Sequence, residues 1–101
     1  MTPSSSPRFQ HGRVFMTECI VILARAGRTD ILQCLERHLA GDWGDVSDAR
    51  REMNDAALER RGLIVSRYPV TPTQQMVILT NEDRSLTKLM LLNEFLDDLY
   101  D

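Results

Sequence analysis

Residues 63–92, LIVSRYPVTPTQQMVILTNEDRSLTKLMLL, decide the fold because their hydrophobic pattern differs from that of the residues before them. Leu63–Val70 and Gln75–Thr80 are rich in β-branched residues, which favour strands, and Ser85–Leu92 partly alternates apolar and polar residues. The connections between these segments are short, and Pro72 suits a turn better than a central strand. The stretch therefore predicts a three-stranded antiparallel meander over about 63–70, 75–80 and 85–92.

The residues that precede the meander have the spacing of helices. One apolar stripe at helical spacing is formed by Ile31, Leu32, Leu35 and Leu39. Thr29 and Ser47 carry side chains that accept hydrogen bonds from free amides at a helix start, so each is expected to begin a helix. Two helices are therefore predicted between residue 29 and the first strand.

The two ends of the chain are less regular. Thr17–Ala26 fits a helix or a strand, with Ala24 and Ala26 favouring the helix, and Val14 with Phe15 indicates a short strand or an extended lead-in. Asn93 can cap a short final helix, Glu94–Tyr100. Helices followed by strands predict an α+β class, with the helices packed on one face of the sheet. We expect residues 1–12 to form a disordered tail and residues 13–101 to form a single domain.

The composition excludes several classes of protein. The chain of 101 residues has no apolar run near the ~20 residues of a membrane span, and its first residues lack the apolar core of a secretory signal. Its net charge of −3 gives no reason to expect nucleic acid, although eleven of its twelve basic residues are arginine. Cys19 and Cys34 have no metal-binding spacing and are expected to act as small hydrophobes. We expect a cytoplasmic protein without metal or cofactor.

A set of motifs lies between Arg37 and about Leu91. It comprises His38 with Gly41–Asp45 (GDWGD), Arg51, Asn54 and Gly62, Ser66 with Tyr68, Ile78 with Thr80, and Asp83–Ser85 (DRS) followed by Thr87. With these motifs the chain resembles a family of small proteins from phages, plasmids and integrated bacterial elements. Members are mostly uncharacterised, and some are labelled plasmid-related or as a subunit of a type I restriction system. The resemblance therefore implies a genetic habitat more than an activity.

The restriction-subunit label does not fit the chain physically. A methyltransferase needs a doubly wound sheet with a crevice for its cofactor, and this chain is too short to build one. It also lacks a glycine-rich turn between a strand and a helix. We therefore do not carry that activity over.

The motifs define a candidate binding patch, which consists of His38, Asp42, Trp43, Asp45, Asn54, Tyr68, Arg84 and Ser85. His38 with Asp42 and Asp45 has the residue types of acid–base chemistry or of divalent-metal binding. The structural interpretation is favoured, because short acidic residues are also common in turns and at helix caps. No catalytic residue and no metal ligand is assigned.

Other members of this patch also have structural interpretations. Trp43 is expected to be buried and to lock the turn, although an exposed tryptophan would be a candidate binding hot spot. Asn54 in the middle of a helix is expected to bond the GDWGD turn or a strand edge. Arg84 and Ser85 fit an anion pocket, but we favour a turn in which Asp83 accepts backbone amides and Arg84 pairs with an acid.

Three functions remain open from the sequence. We expect a non-enzymatic interaction protein of a mobile element, which binds a protein and in one version modulates a host defence system. The alternatives are a small enzyme or an anion- or nucleotide-ligand binder that uses the GDWGD and DRS segments, and a nucleic-acid accessory factor. Exposed strand edges also make a homodimer a candidate assembly.

Overall fold

The computed structural model describes residues 7–27 and 30–100. Four strands and four helices follow one another in the order β1 Arg13–Met16, α1 Glu18–Arg25, α2 Ile31–Leu39, α3 Asp48–Arg60, β2 Ile64–Thr71, β3 Gln74–Thr80, β4 Leu86–Leu91 and α4 Leu92–Tyr100. The predicted α+β class is therefore confirmed. No helix of the described residues has the length and apolar character needed to cross a bilayer.

The sheet has four strands in the order β1-β4-β3-β2, so the prediction of a three-stranded meander is wrong for the sheet as a whole. The strands β2, β3 and β4 do form the predicted antiparallel meander. The short segment around Val14 and Phe15 forms β1, which pairs with β4 in the parallel direction. Because β1 comes first in the chain and β4 last, this pairing depends on contacts between distant residues that local patterns do not reveal.

The helices cover both faces of the sheet, whereas the sequence suggested one. On the first face, Ile20 of α1 and Cys34 of α2 pack against a core that includes Ile78 and Leu89. On the second face, α4 packs its first residues and Phe95 over Val65, Val77 and Met90. The helix α3 packs beside β2, where Ala57 contacts Ile64. Cys34 is buried as expected, whereas Cys19 is exposed.

Capping side chains define the helix starts. Ser47 accepts a hydrogen bond from the amide of Arg50 at 3.0 Å, so α3 begins where the sequence predicted. The cap of α2 is Asp30, which accepts from the amide of Gln33; Thr29 lies outside the described residues. Residues 18–25 are helical, which resolves the ambiguity of Thr17–Ala26.

Candidate functional site

A buried series of hydrogen bonds runs through His38 and crosses the sheet. The ring is bonded through Nδ1 to the hydroxyl of Ser66 on β2, and its Nε2 lies 2.9 Å from the hydroxyl of Thr80 on β3. Thr80 is bonded to Thr87 on β4 at 2.7 Å, and Thr87 donates to the carbonyl of His11 at 2.8 Å. The series therefore joins α2, three strands and the segment before β1.

Burial also sets the charge of His38. Desolvation, with a smaller contribution from the Arg84 guanidinium, lowers the pKa of His38 from its usual 6.5 to about 3. The ring is neutral near pH 7, so one nitrogen donates a hydrogen bond and the other accepts one. A ring fully enclosed by protein and bonded at both nitrogens supports the structural interpretation of this residue.

Trp43 is buried, as predicted, and forms the centre of a small core beside α3. Its ring packs with Ala57 and Ile64, and its edge lies against the His38 ring, with 6.0 Å between the ring centroids. The indole Nε1 donates to the Asp55 carboxylate at 2.9 Å, which satisfies the buried donor. The tryptophan therefore holds the turn between α2 and α3 in place.

Asp42 and Tyr68 attach that turn to β2. The Tyr68 hydroxyl donates to the backbone carbonyl of Asp42 at 2.5 Å, and burial raises the pKa of this phenol. The Asp42 carboxylate accepts from Nε of Arg37 at 2.8 Å, and this bond holds the pKa of Asp42 below its usual value. The Arg37 guanidinium also lies 4.6 Å from the centre of the Tyr68 ring.

The backbone of the turn pairs with β2 at Arg67. The amide of Arg67 donates to the carbonyl of Trp43 at 3.0 Å, and the amide of Asp45 donates to the carbonyl of Arg67 at 2.8 Å. Between them Gly44 has φ +72°, and a Cβ there would lie 2.0 Å from the Arg67 carbonyl oxygen. Asp45, with an exposed side chain, takes part in this pairing through its backbone.

Asn54 forms the predicted hydrogen bonds to a strand edge. Its amide nitrogen donates to the carbonyl of Val65 at 2.7 Å, and its oxygen accepts from the amide of Val65 at 3.1 Å. The side chain is fully buried and imitates the pairing of a neighbouring strand. It is therefore a structural amide that joins α3 to β2.

Arg84 and Ser85 are neighbours in the chain but bond to different parts of the protein: Arg84 bonds to carbonyls near the end of α3, and Ser85 bonds to Asp83. Arg84 donates to the carbonyls of Ala57 and Gly62, each at 2.7 Å, so the prediction that it pairs with an acid is wrong. These carbonyls lie at the end of α3, where the helix dipole favours a cation. Asp83 accepts from the amide and the hydroxyl of Ser85, as the turn interpretation predicted.

The structure brings together only part of the predicted patch. Five members lie in the GDWGD turn or against it: Asp42, Trp43 and Asp45 belong to the turn, and His38 and Tyr68 contact it. Arg84 does not contact this group directly. Its guanidinium lies against the Phe9 ring, and the Phe9 ring contacts His38. Asn54 lies at Val65, and Ser85 is exposed in the β3–β4 connection. Within the described residues, every buried side-chain nitrogen and oxygen has a partner, and no group of three His, Cys, Asp or Glu residues could hold a metal ion.

These same contacts close the outer edge of β2. The backbone groups of Val65, Arg67 and Pro69 alternate along this edge and point away from β3. Asn54 pairs with Val65, the GDWGD turn pairs with Arg67, and Pro69 has no amide hydrogen to offer. An edge closed in this way cannot add another strand.

The outer edge of β1 is open in the described part of the chain. The amides of Arg13 and Thr17 donate to the carbonyls of Ser85 and Leu89, at 2.9 and 3.0 Å, so the alternate backbone groups of Val14 and Met16 point outward. The side chains along this strand are also accessible: Val14, Phe15 and Met16 are 40%, 49% and 46% exposed. A free edge and three exposed apolar side chains coincide here.

Sequence reasoning did not select β1 or its pairing with β4, although Gly12 gives a signal for that pairing. Gly12 has φ +63°, and a Cβ there would lie 2.2 Å from the carbonyl carbon of Ser85. A glycine close to the start of a short apolar run is typical of a close approach between two backbone segments. Gly12 therefore allows β1 to reach β4.

No family model, curated protein or solved structure matches this chain in the three comparisons made.

Proposed function

We propose that this chain is a non-enzymatic interaction protein that binds an extended segment of a protein partner along the outer edge of β1. The segment would add a fifth strand to the sheet through main-chain hydrogen bonds to Val14 and Met16. Side chains that point to the two faces would then supply specificity.

The contrast between the two edges of the sheet carries this proposal. Asn54, the GDWGD turn and Pro69 close the edge of β2, whereas the edge of β1 has no such protection in the described residues. Proteins usually protect an edge strand, because an open apolar edge leads to aggregation. An open edge in a sheet whose opposite edge is closed therefore supports use of the open edge in binding.

The exposed side chains of β1 indicate the chemistry of the partner. Val14 and Met16 lie on the face that α1 and α2 cover, and Phe15 lies on the opposite face with Arg13. The Arg13 guanidinium lies 5.7 Å from the centre of the Phe15 ring, which extends this apolar surface with a positive charge. A partner segment with alternating apolar residues and one acidic residue beside Arg13 would complement the strand.

The candidate partners follow from the resemblance to proteins of phages and plasmids. A small protein of a mobile element that binds without catalysis can act by occupying a surface of a host protein. Components of host defence systems are therefore the partners to test first within this proposal.

Proline substitution at Val14 tests the proposal directly. Peptides are selected from a displayed library of extended segments, and their affinities are measured by fluorescence polarisation. Val14→Pro removes an outward amide hydrogen without removing a bond to β4, so we expect it to weaken peptide binding about tenfold or more. Val14→Thr keeps the amide and a β-branched side chain, so we expect its affinity to stay within about threefold of the parent protein.

Two further measurements complete this test. Circular dichroism verifies that each variant is folded, and Met16→Pro provides a second outward-facing variant, which should weaken binding to a similar extent. Selected peptides that bind Val14→Pro and Met16→Pro as tightly as the parent protein would contradict the proposal. A dimer in sedimentation analysis that Val14→Pro dissociates would assign the edge to a second copy and would also contradict it.

A further inference from the structure

A second candidate site lies on the opposite side of the sheet from α1 and α2. A cavity of about 430 Å³ opens between α4, β2 and the start of α3. Val65 and Val77 line it from the sheet, Leu92 and Phe95 line it from α4, and Val46 and Leu63 complete its apolar walls. This volume lies at the lower end of the range typical of small-molecule sites.

Two arginines also line this apolar cavity. Nε of Arg67 donates to the backbone carbonyl of Asp45 at 2.8 Å. Arg50 donates to the side chain of Asn54 at 3.1 Å and to the carbonyl of Leu63 at 3.0 Å. These partners are neutral, so they orient the guanidinium groups without cancelling their charge.

Arg37 provides a comparison within the same protein. It is paired with the Asp42 carboxylate, and this bond raises the pKa of Arg37. Burial lowers the pKa of Arg50, and no acidic side chain among the described residues acts in the opposite direction. The charge of Arg50 is therefore partly desolvated and lacks a counter-charge in the described structure.

From this combination we propose that the cavity binds a medium-chain aliphatic carboxylate. Its chain, of about eight to ten carbons for a site of this size, would pack against Val65, Val77 and Phe95. Its carboxylate would accept hydrogen bonds from Arg50 and Arg67, which supply the forked donors that suit a carboxylate. This site is separate from β1 and does not depend on the function proposed for that strand.

Decanoate and 1-decanol form a matched pair of probes, because they share an alkyl chain and differ in charge. We expect isothermal titration at pH 7 to show that decanoate binds at least about tenfold more tightly than decanol, since only decanoate can pair with the arginines. We expect amide chemical-shift changes from decanoate to centre on Val65, Val77 and Phe95. Equal affinities for the two probes, no binding of decanoate, or shift changes centred elsewhere would overturn the proposal.

Substitutions at Arg67 separate charge from structure. Arg67→Gln and Arg67→Lys both lose the Nε hydrogen bond to Asp45, but only Lys keeps a positive charge. We expect Gln to weaken decanoate binding about tenfold and Lys to stay within about threefold of the parent protein, with decanol affinity unchanged in both. Arg60→Gln, on an exposed part of α3, should change neither affinity. Equal loss of decanoate affinity in the Gln and Lys variants would overturn the assignment of the carboxylate to Arg67.

Discussion

Replacing Gly44 by alanine is expected to destabilise the protein by about 4 kcal/mol or more, a large part of the stability of a domain of this size. The added Cβ would lie 2.0 Å from the carbonyl oxygen of Arg67 and under 3 Å from the Tyr68 ring. Relief of this clash requires the turn to leave β2, which breaks both backbone hydrogen bonds to Arg67. Trp43 would then lose part of its packing, because its burial depends on the same turn.

Gly27→Ala is the matched control for this substitution. Gly27 also has a positive φ, +67°, but no described atom lies within 4 Å of the position that its Cβ would take. Its substitution adds only the backbone strain of a left-handed alanine, about 1–2 kcal/mol. Urea denaturation of the two variants measures the difference, and equal losses of stability would show that the turn is not held against β2 as described.

The stability of the protein is expected to fall by about 3 kcal/mol between pH 7 and pH 4 because of His38 alone. The folded state holds the pKa of this ring at about 3, whereas the unfolded chain has a pKa near 6.5. Between these values the unfolded chain binds more protons than the folded protein. The stabilisation is therefore complete above pH 6.5 and is lost progressively as the pH falls toward 3.

The two histidines of the chain provide the variant and its control. His38→Gln removes the titrating group, so we expect its stability to decline less between pH 7 and pH 4 than that of the parent protein, by about 3 kcal/mol. His11→Gln makes the same substitution at an exposed side chain and serves as the comparison. Denaturation at several pH values measures the free energy of unfolding of the three proteins. The carboxylates are the same in all three, so their contribution cancels when each variant is compared with the parent protein. A His38→Gln variant with the parental pH dependence would show that the ring is not buried in neutral form.

Local patterns predicted those parts of the fold that depend on neighbouring residues. The β-branched runs identified the first two strands of the meander, and the partial alternation of Ser85–Leu92 identified the third. Ser47 marked the start of α3 because its hydroxyl caps the helix directly. The burial of Trp43 followed from its place between two glycines in a turn, where a large ring needs a core to pack against. Each of these predictions required only a few consecutive residues.

The remaining features depend on distant contacts, which a single sequence does not display. The pairing of β1 with β4 joins Arg13 to Leu86, and a four-residue strand has too short a pattern to indicate its partner. The position of α4 on the second face depends on the packing of α1 and α2, which cover the first face. Arg84 was predicted to pair with an acid, but the nearby end of α3 offered carbonyls that satisfy its guanidinium.

The candidate patch shows the same limit. The residue types of His38, Asn54 and Tyr68 were informative, because each makes specific hydrogen bonds, but residue type does not distinguish an internal partner from a ligand. Val14 and Met16 were not selected from the sequence, because isolated apolar residues are common on protein surfaces. Their proposed role in binding comes from the open strand edge on which they lie.

Amide hydrogen exchange of the monomer tests most directly whether one edge of the sheet is closed and the other open. Backbone amides that are bonded within the protein exchange slowly, and outward amides at a free edge exchange quickly. We expect strong protection of Val65 and Arg67, whose amides donate to Asn54 and Trp43, and rapid exchange of Val14 and Met16. Equal protection of these two pairs of amides would contradict this expectation.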